Sequence, residues 1–200
     1  MNGSTAFPRM ACRKRFRALP CLAAALGSLL VAGCGGGSDA GSAPHPDYRA
    51  ALRGAPAPLA TLYAQGDRIL AGGTSAYERR LRALRGHAVV VNDWASWCEP
   101  CRQEIPLFGR AAARFGKRTA FLGVDAEDSP AAARTFLRER PLPYPSFDDP
   151  DRAISQSQGP VVGYPRTAFY DAKGRLVHLK QGPYSSQAEL AADIRRYGGG

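Results

Sequence analysis

The chain is short of the residues that staple or metallate small exported folds. Five cysteines and three histidines occur in 200 residues, and His45, His87 and His178 stand at no spacing that completes a four-ligand zinc site with a cysteine pair. Long apolar runs are also missing. The longest, Ala18 to Ala32, is interrupted by Pro20 and Cys21 and is too short for a comfortable membrane span. No acidic residue precedes position 34, and that one-sided start holds Arg9, Arg13, Lys14, Arg15 and Arg17 out of 27 basic residues. Without them 22 basic residues face 17 acidic ones. That balance, with no basic stripe interleaved with aromatics, argues against nucleic-acid binding and suits a solubility feature or a preference for anionic lipid. No internal repeat occurs, and 44% hydrophobic content suffices for one domain with a core.

What is present at the start is a basic cluster, a short apolar segment and small residues, the pattern of a secretory signal. Its end, Leu30, Val31, Ala32, Gly33, Cys34, resembles the lipobox of bacterial lipoproteins. That resemblance implies a signal peptide over 1–33, lipidation of Cys34 and an anchor that needs no membrane span. A plain signal peptide that happens to contain a cysteine is the alternative, and Met10 is a second candidate start. Residues 35–58 are rich in Gly, Ser, Ala and Pro and read as a flexible tether, which leaves 59–200 as the domain. Cys12 and Cys21 depart with the signal, so Cys98 and Cys101 are the thiols left to the domain. A single close pair is not a disulfide scaffold.

Within the domain, Leu59 to Tyr63 reads as a short edge strand. Thr74 or Ser75 starts a helix with Tyr77, Leu81 and Leu84 inward and its arginines on a solvated face. Ala88 to Asn92 and Thr119 to Val124 are buried strands. Helices are expected after Cys101 to about Gly116, with Pro106 inside, and after Ser129 and Pro130. Leu142 to Phe147 is extended, Pro150 to Ser157 a short helix, Thr167 to Leu179 a hairpin turning at Asp171 to Gly174, and Ser186 to Tyr197 a closing helix. Alternating strands and helices followed by a hairpin imply an α/β fold, a mixed sheet with helices on both faces.

Trp97, Cys98, Glu99, Pro100, Cys101 sit where a strand hands over to a helix. There the first backbone N–H groups and the positive end of the helix dipole stabilise the Cys98 thiolate. Cys98 is then the exposed nucleophile and Cys101, one turn in, the resolving thiol. Glu99 and Pro100 tune thiolate stability and turn rigidity. Glu104 lies three residues past Cys101, on roughly its helical face, and can exchange a proton with it, although a solvated helix face also carries such glutamates. Trp97 covers the site or belongs to the core, and Trp94 belongs to the core.

The segments VVVNDWASWCEPCRQEIP (Val89 to Pro106) and GYPRTAFYDAKGRLV (Gly163 to Val177), with the lipobox, resemble the TlpA/ResA-type thioredoxin-fold oxidoreductases. The resemblance covers roughly Gly86 to Tyr197. It implies that Pro165 is cis and faces the dithiol, exposing the backbone of Tyr164 to a substrate chain; a trans structural proline is the alternative. It strengthens Glu104 as the proton partner, because Asn92 stands where thioredoxins proper carry a buried aspartate, and Asp93 points to the other side of its strand. It implies a thiol-disulfide oxidoreductase outside the cytoplasmic membrane that reduces exported proteins, apocytochrome c among them, with electrons from a membrane thiol carrier. No cofactor or metal beyond the dithiol is expected. An oxidase or isomerase, or a metallochaperone or binding lipoprotein on the same fold, is the alternative.

Overall fold

The computed structural model describes residues 46–198. In chain order the elements are α1 (Tyr48–Leu52), α2 (Ala57–Tyr63), β1 (Ile69–Leu70), α3 (Gly73–Ala83), β2 (Val89–Trp94), α4 (Glu99–Phe115), β3 (Ala120–Ala126), α5 (Pro130–Glu139), β4 (Ser146–Asp149), α6 (Ala153–Ser157), β5 (Arg166–Tyr170), β6 (Leu176–Gln181) and α7 (Gln187–Tyr197). The strands form one sheet in the order β1-β4-β3-β2-β5-β6. Strands β1 to β4 run parallel, and β5 and β6 add an antiparallel hairpin. This is the expected mixed α/β sheet.

Side chains alternate across each strand, so the buried run of β2 divides between two cores. Val90 and Trp94 face α4, α5 and α7, together with Phe121 and Phe169. Val89 and Val91 face α2 and α3, with Leu122, Val124 and Ala168. Trp94 stacks on Phe136, and its indole N–H donates to Ser146 Oγ at 3.1 Å. Gly123 on the neighbouring strand leaves room for that ring, since a Cβ there would fall on the Ser146 hydroxyl and the Trp94 indole.

Local signals start the helices. Ser129 Oγ accepts the Ala132 N–H at 3.2 Å with Pro130 in the first turn, and Ser186 Oγ accepts the Glu189 N–H at 3.2 Å.

Two expectations fail. Leu59 to Tyr63 is not a strand but part of α2, because Leu59 and Leu62 lie three apart and both are buried, a helical spacing that five residues of mixed character conceal. The edge strand is instead Ile69–Leu70, paired in parallel with β4. The described end of the expected tether is also ordered. Asp47 caps α1 by accepting the Ala50 N–H at 3.0 Å, Tyr48 lies over Gly109 of α4, and Leu52 packs against Gly116. Gly and Ala content hid two apolar residues that fit notches left by glycines on another helix. The expected signal over 1–33, lipidated Cys34 and residues 35–45 of the tether lie outside the described residues. No helix of the described residues is long and apolar enough to cross a membrane.

Candidate active site

Cys98 is the N-cap of α4, in extended backbone geometry, with the chain arriving from β2 through Ala95 to Trp97. Its Sγ accepts the Cys101 N–H at 3.3 Å and is joined to Cys101 in a disulfide. The two sulfurs are not equivalent, since Cys98 is 5% exposed and Cys101 fully buried. Cys98 was expected to be open to solvent and is instead nearly covered. The exposed apolar surface at this end belongs to Trp97, 59% accessible, whose indole N–H donates to Glu127 O at 3.0 Å. The Trp97 ring meets Tyr164 edge-on at 6.3 Å, and the Tyr164–Pro165 peptide is cis. Trp97, the residue before Cys98, is therefore in contact with Tyr164, and Trp97 is not a core residue. Glu99 and Pro100 are exposed in the first turn, and Glu99 pairs with Arg102 at 3.6 Å.

Glu104 is 1% exposed, which excludes the solvated-face alternative. Its Oε1 accepts from Asn92 Nδ2 at 2.8 Å and its Oε2 from the Tyr184 N–H at 2.9 Å. Burial pushes its carboxyl up to about 7 in spite of both donors. Asn92 is thus the partner of the acid. Asp93 faces the opposite core, where it pairs with the buried Arg166 at 2.7 Å and accepts from Gln158 Nε2. Burial pushes Asp93 up to about 6, against the pull of that guanidinium.

Sequence reasoning missed a group beside the loop that leads into Cys98. Asp128 Oδ2 accepts the Ser96 N–H at 2.6 Å, while Arg102 Nη1 donates to Ser96 O at 3.2 Å, so the peptide ahead of Trp97 is gripped from both sides. Asp125, opposite Trp94 in the sheet, is fully buried and neither carboxylate oxygen has a donor among the described residues. Burial pushes Asp125 up to about 8, with further upward pushes from Asp128, Asp148 and Asp149. The signal that could have found this group is the run Asp125, Glu127, Asp128 directly after a buried strand. In parallel sheets, sites gather at the carboxyl ends of strands.

This group gives a stability prediction with a definite sign. Asp125 keeps its proton to higher pH when folded than when unfolded, so its contribution to stability falls as pH rises from about 4 to 8 and is flat outside that window. An asparagine can donate to Asp128 and carries no such penalty. Asp125→Asn should therefore gain on the parent protein by about 1.4 kcal/mol per pH unit, or about 3 kcal/mol between pH 5 and pH 7. Urea unfolding at several pH values measures it, and a difference that stays constant with pH would refute it.

Among the described residues no group of three or more His, Cys, Asp or Glu is arranged to hold a metal ion. A parallel-antiparallel sheet with a C-x-x-C disulfide capping the helix after a central strand, and a cis proline just before β5, defines a thioredoxin-like protein with a dithiol/disulfide centre. The chain belongs to the AhpC/TSA family, whose sequence model matches residues 54–179. The thiol:disulfide interchange protein DsbE of Allochromatium vinosum is 36% identical over 121 residues, 58% of this chain and 65% of that one, so this chain spans less than two thirds of that relative. Two of the solved structures similar to this chain carry the comparison. One is dsbF of MTB, in mixed oxidised and reduced forms, at 30% identity with a TM-score of 0.53 over 58% of this chain and 84% of that one. The other is a secreted Mycobacterium tuberculosis disulfide oxidoreductase homologous to Escherichia coli DsbE, at 26% identity with a TM-score of 0.50 over 57% and 85%.

Proposed function

We propose that this protein is a thiol-disulfide oxidoreductase that reduces disulfides of exported proteins from the outer face of a membrane. The observation that carries the reading is the unequal pair at the start of α4, a disulfide whose first cysteine keeps a 5% opening to solvent while the second has none, with the buried Glu104 three residues further along the helix. In the reduced domain the Cys98 thiolate attacks a substrate disulfide, forms a mixed disulfide and releases one substrate thiolate. Cys101 then gives up its proton and attacks Cys98 Sγ. The second substrate thiolate leaves, and the Cys98–Cys101 bond seen in the structure forms. Two electrons have passed to the substrate, and a thiol donor at the membrane returns them. Glu104, one turn beyond Cys101, takes and returns the proton, and its pKa near 7 suits both directions. Tyr164 and Pro165 offer backbone to the substrate chain, with Trp97 beside them.

The reaction asks for no cofactor beyond the dithiol. The signal-like start, the lipobox-like Cys34 and a secreted relative support export and a lipid anchor. Apocytochrome c is one substrate with the required cysteine pair. The Glu99-Pro100 spacer has no histidine to stabilise the thiolate further, which favours reduction over oxidation.

The direction is tested by the reduction potential of the purified protein equilibrated with glutathione. A value well below that of a strong oxidant is expected, and one near about −120 mV, as in DsbA, would make the protein an oxidase. Glu104→Gln should slow resolution of the mixed disulfide and remove its inflection near pH 7; an unchanged pH profile would dismiss Glu104 from the reaction.

A further inference from the structure

The end of the domain away from the dithiol is built from four chain segments that the sheet brings together. β2 starts at Val89 beside Ala120 of β3 and Tyr170 of β5, so the residues before β2, those before β3 and the hairpin turn share one end. The contacts are direct. Gly86 N–H donates to Ala172 O at 2.8 Å, and Thr119 Oγ1 donates to Gly198 O at 3.0 Å, tying the end of α4 to the end of α7. Tyr197 stacks on His178 of β6 at 4.2 Å, which closes the circle.

These segments carry the exposed cations Arg85, Lys117, Arg118, Lys173, Arg195 and Arg196, none of which has a carboxylate within ion-pair distance among the described residues. Their one acidic residue, Asp171, is already bound to Arg175. The dithiol end has the opposite character, with Glu99, Glu127, Asp128, Asp148 and Asp151 against Arg102 and Arg152. The two ends are separated by the length of α4, about 25 Å. The described domain is bipolar, which its excess of basic over acidic residues does not reveal.

Apolar surface accompanies the cations. Leu176 and Val177 open β6 next to the hairpin turn and are 39% and 43% exposed, two of the four large hydrophobic residues exposed among the described residues. A cationic cluster beside exposed aliphatic side chains, on an end made of helix C-termini and a turn, fits a headgroup layer: phosphates meet the cations while the aliphatic chains enter the interface. A nucleic acid would call for a groove or stacking aromatics, and exposed leucine and valine offer it nothing.

We propose that this basic end is a peripheral docking surface for anionic lipid headgroups, which seats the domain on the bilayer with the acidic dithiol end facing away. The end of α1 lies beside it, with Leu52 against Gly116, while Tyr48 at the start of α1 lies over Gly109, about 10 Å back along α4. The inference does not depend on the redox reading, since none of these residues belongs to the site.

Sedimentation of the full chain with phosphatidylglycerol-containing and pure phosphatidylcholine vesicles tests it. The comparison is made in a background with Arg13, Lys14, Arg15 and Arg17 changed to Gln, so that the basic start does not mask the effect. Lys117→Gln/Arg118→Gln/Arg195→Gln/Arg196→Gln should lower partition to anionic vesicles by at least about tenfold, as four contacts near a charged surface would. Leu176→Ser/Val177→Ser should lower it further, and added salt should erase the difference. Disulfide exchange in solution should stay at the level of the parent, which shows that the variants fold. If the quadruple variant loses exchange activity, Arg85→Gln/Lys173→Gln, confined to loops, is read in its place. Equal binding to both vesicle types, or undiminished binding by the variants, would overturn the proposal. So would binding to single-stranded RNA, but not to lipid, that the same substitutions abolish.

Discussion

Cys98→Ser is expected to abolish reduction of insulin disulfides, whereas Cys101→Ser should accumulate a covalent adduct with its substrate. The asymmetry follows from position. Cys98 caps α4, where its sulfur meets the Cys101 N–H at 3.3 Å and the positive end of a 17-residue helix. Cys101 is sealed beneath it and reaches only Cys98. A serine at 98 leaves no accessible thiolate, so activity should fall by orders of magnitude, to the level of free dithiothreitol alone. A serine at 101 leaves the first attack intact and removes the second, so non-reducing gels should show substrate held at Cys98. The same trap in cells would name the substrates. Residual activity of Cys98→Ser close to that of the parent, or an adduct on Cys101 in place of Cys98, would reverse the assignment.

The second large effect concerns stability. Arg166 is fully buried and spends its guanidinium on five acceptors: Asp93 Oδ2 at 2.7 Å, Gly159 O at 3.3 Å, Pro160 O at 3.1 Å, Gln158 Oε1 at 3.1 Å and Ser155 O. Removing it strands a carboxylate and several carbonyls in the core. Arg166→Ala should cost about 3–5 kcal/mol, the usual result of breaking a buried ion pair from one side. In a domain of this size that lowers Tm by roughly 6–20 °C. Lysine should rescue little, because a point charge cannot reach so many acceptors in a plane. Pairing Arg166→Met with Asp93→Leu should recover part of the loss, since no charge is then left alone. A loss below about 1 kcal/mol in Arg166→Ala would mean that water already reaches the pair.

Most of the architecture was legible because periodicity and punctuation agreed. The β-branched run before Trp94 and the Ser129-Pro130 start of α5 each announced their elements, and Ser186 did the same for α7. The dithiol was readable from local spacing and the cis proline from the resemblance alone, whereas the bond from Asn92 to Glu104 was not foreseen. What escaped depends on distant residues. α1 is held by glycines some sixty residues away, and α2 is betrayed only by two leucines in an alanine- and proline-rich stretch. The grip on Ser96 needs a residue 32 positions on. The near burial of Cys98 reflects the chains that converge on it, which no five-residue motif encodes.

The five bonds of Arg166 also act on the site, one residue beyond Pro165. The same guanidinium ties Gly159 and Pro160, at the start of the loop, to β5 at its end, so the stretch that carries Tyr164 is clamped at both margins. A partner chain laid along it meets an edge already in place and must supply all of the adjustment itself. Nearly all of the ordering entropy of the encounter then falls on the partner. Loose segments near a disulfide can follow such an edge, whereas cystines locked inside finished folds cannot. If the proposed function holds, such a rim would favour disulfides of chains still being assembled over those of chains already complete.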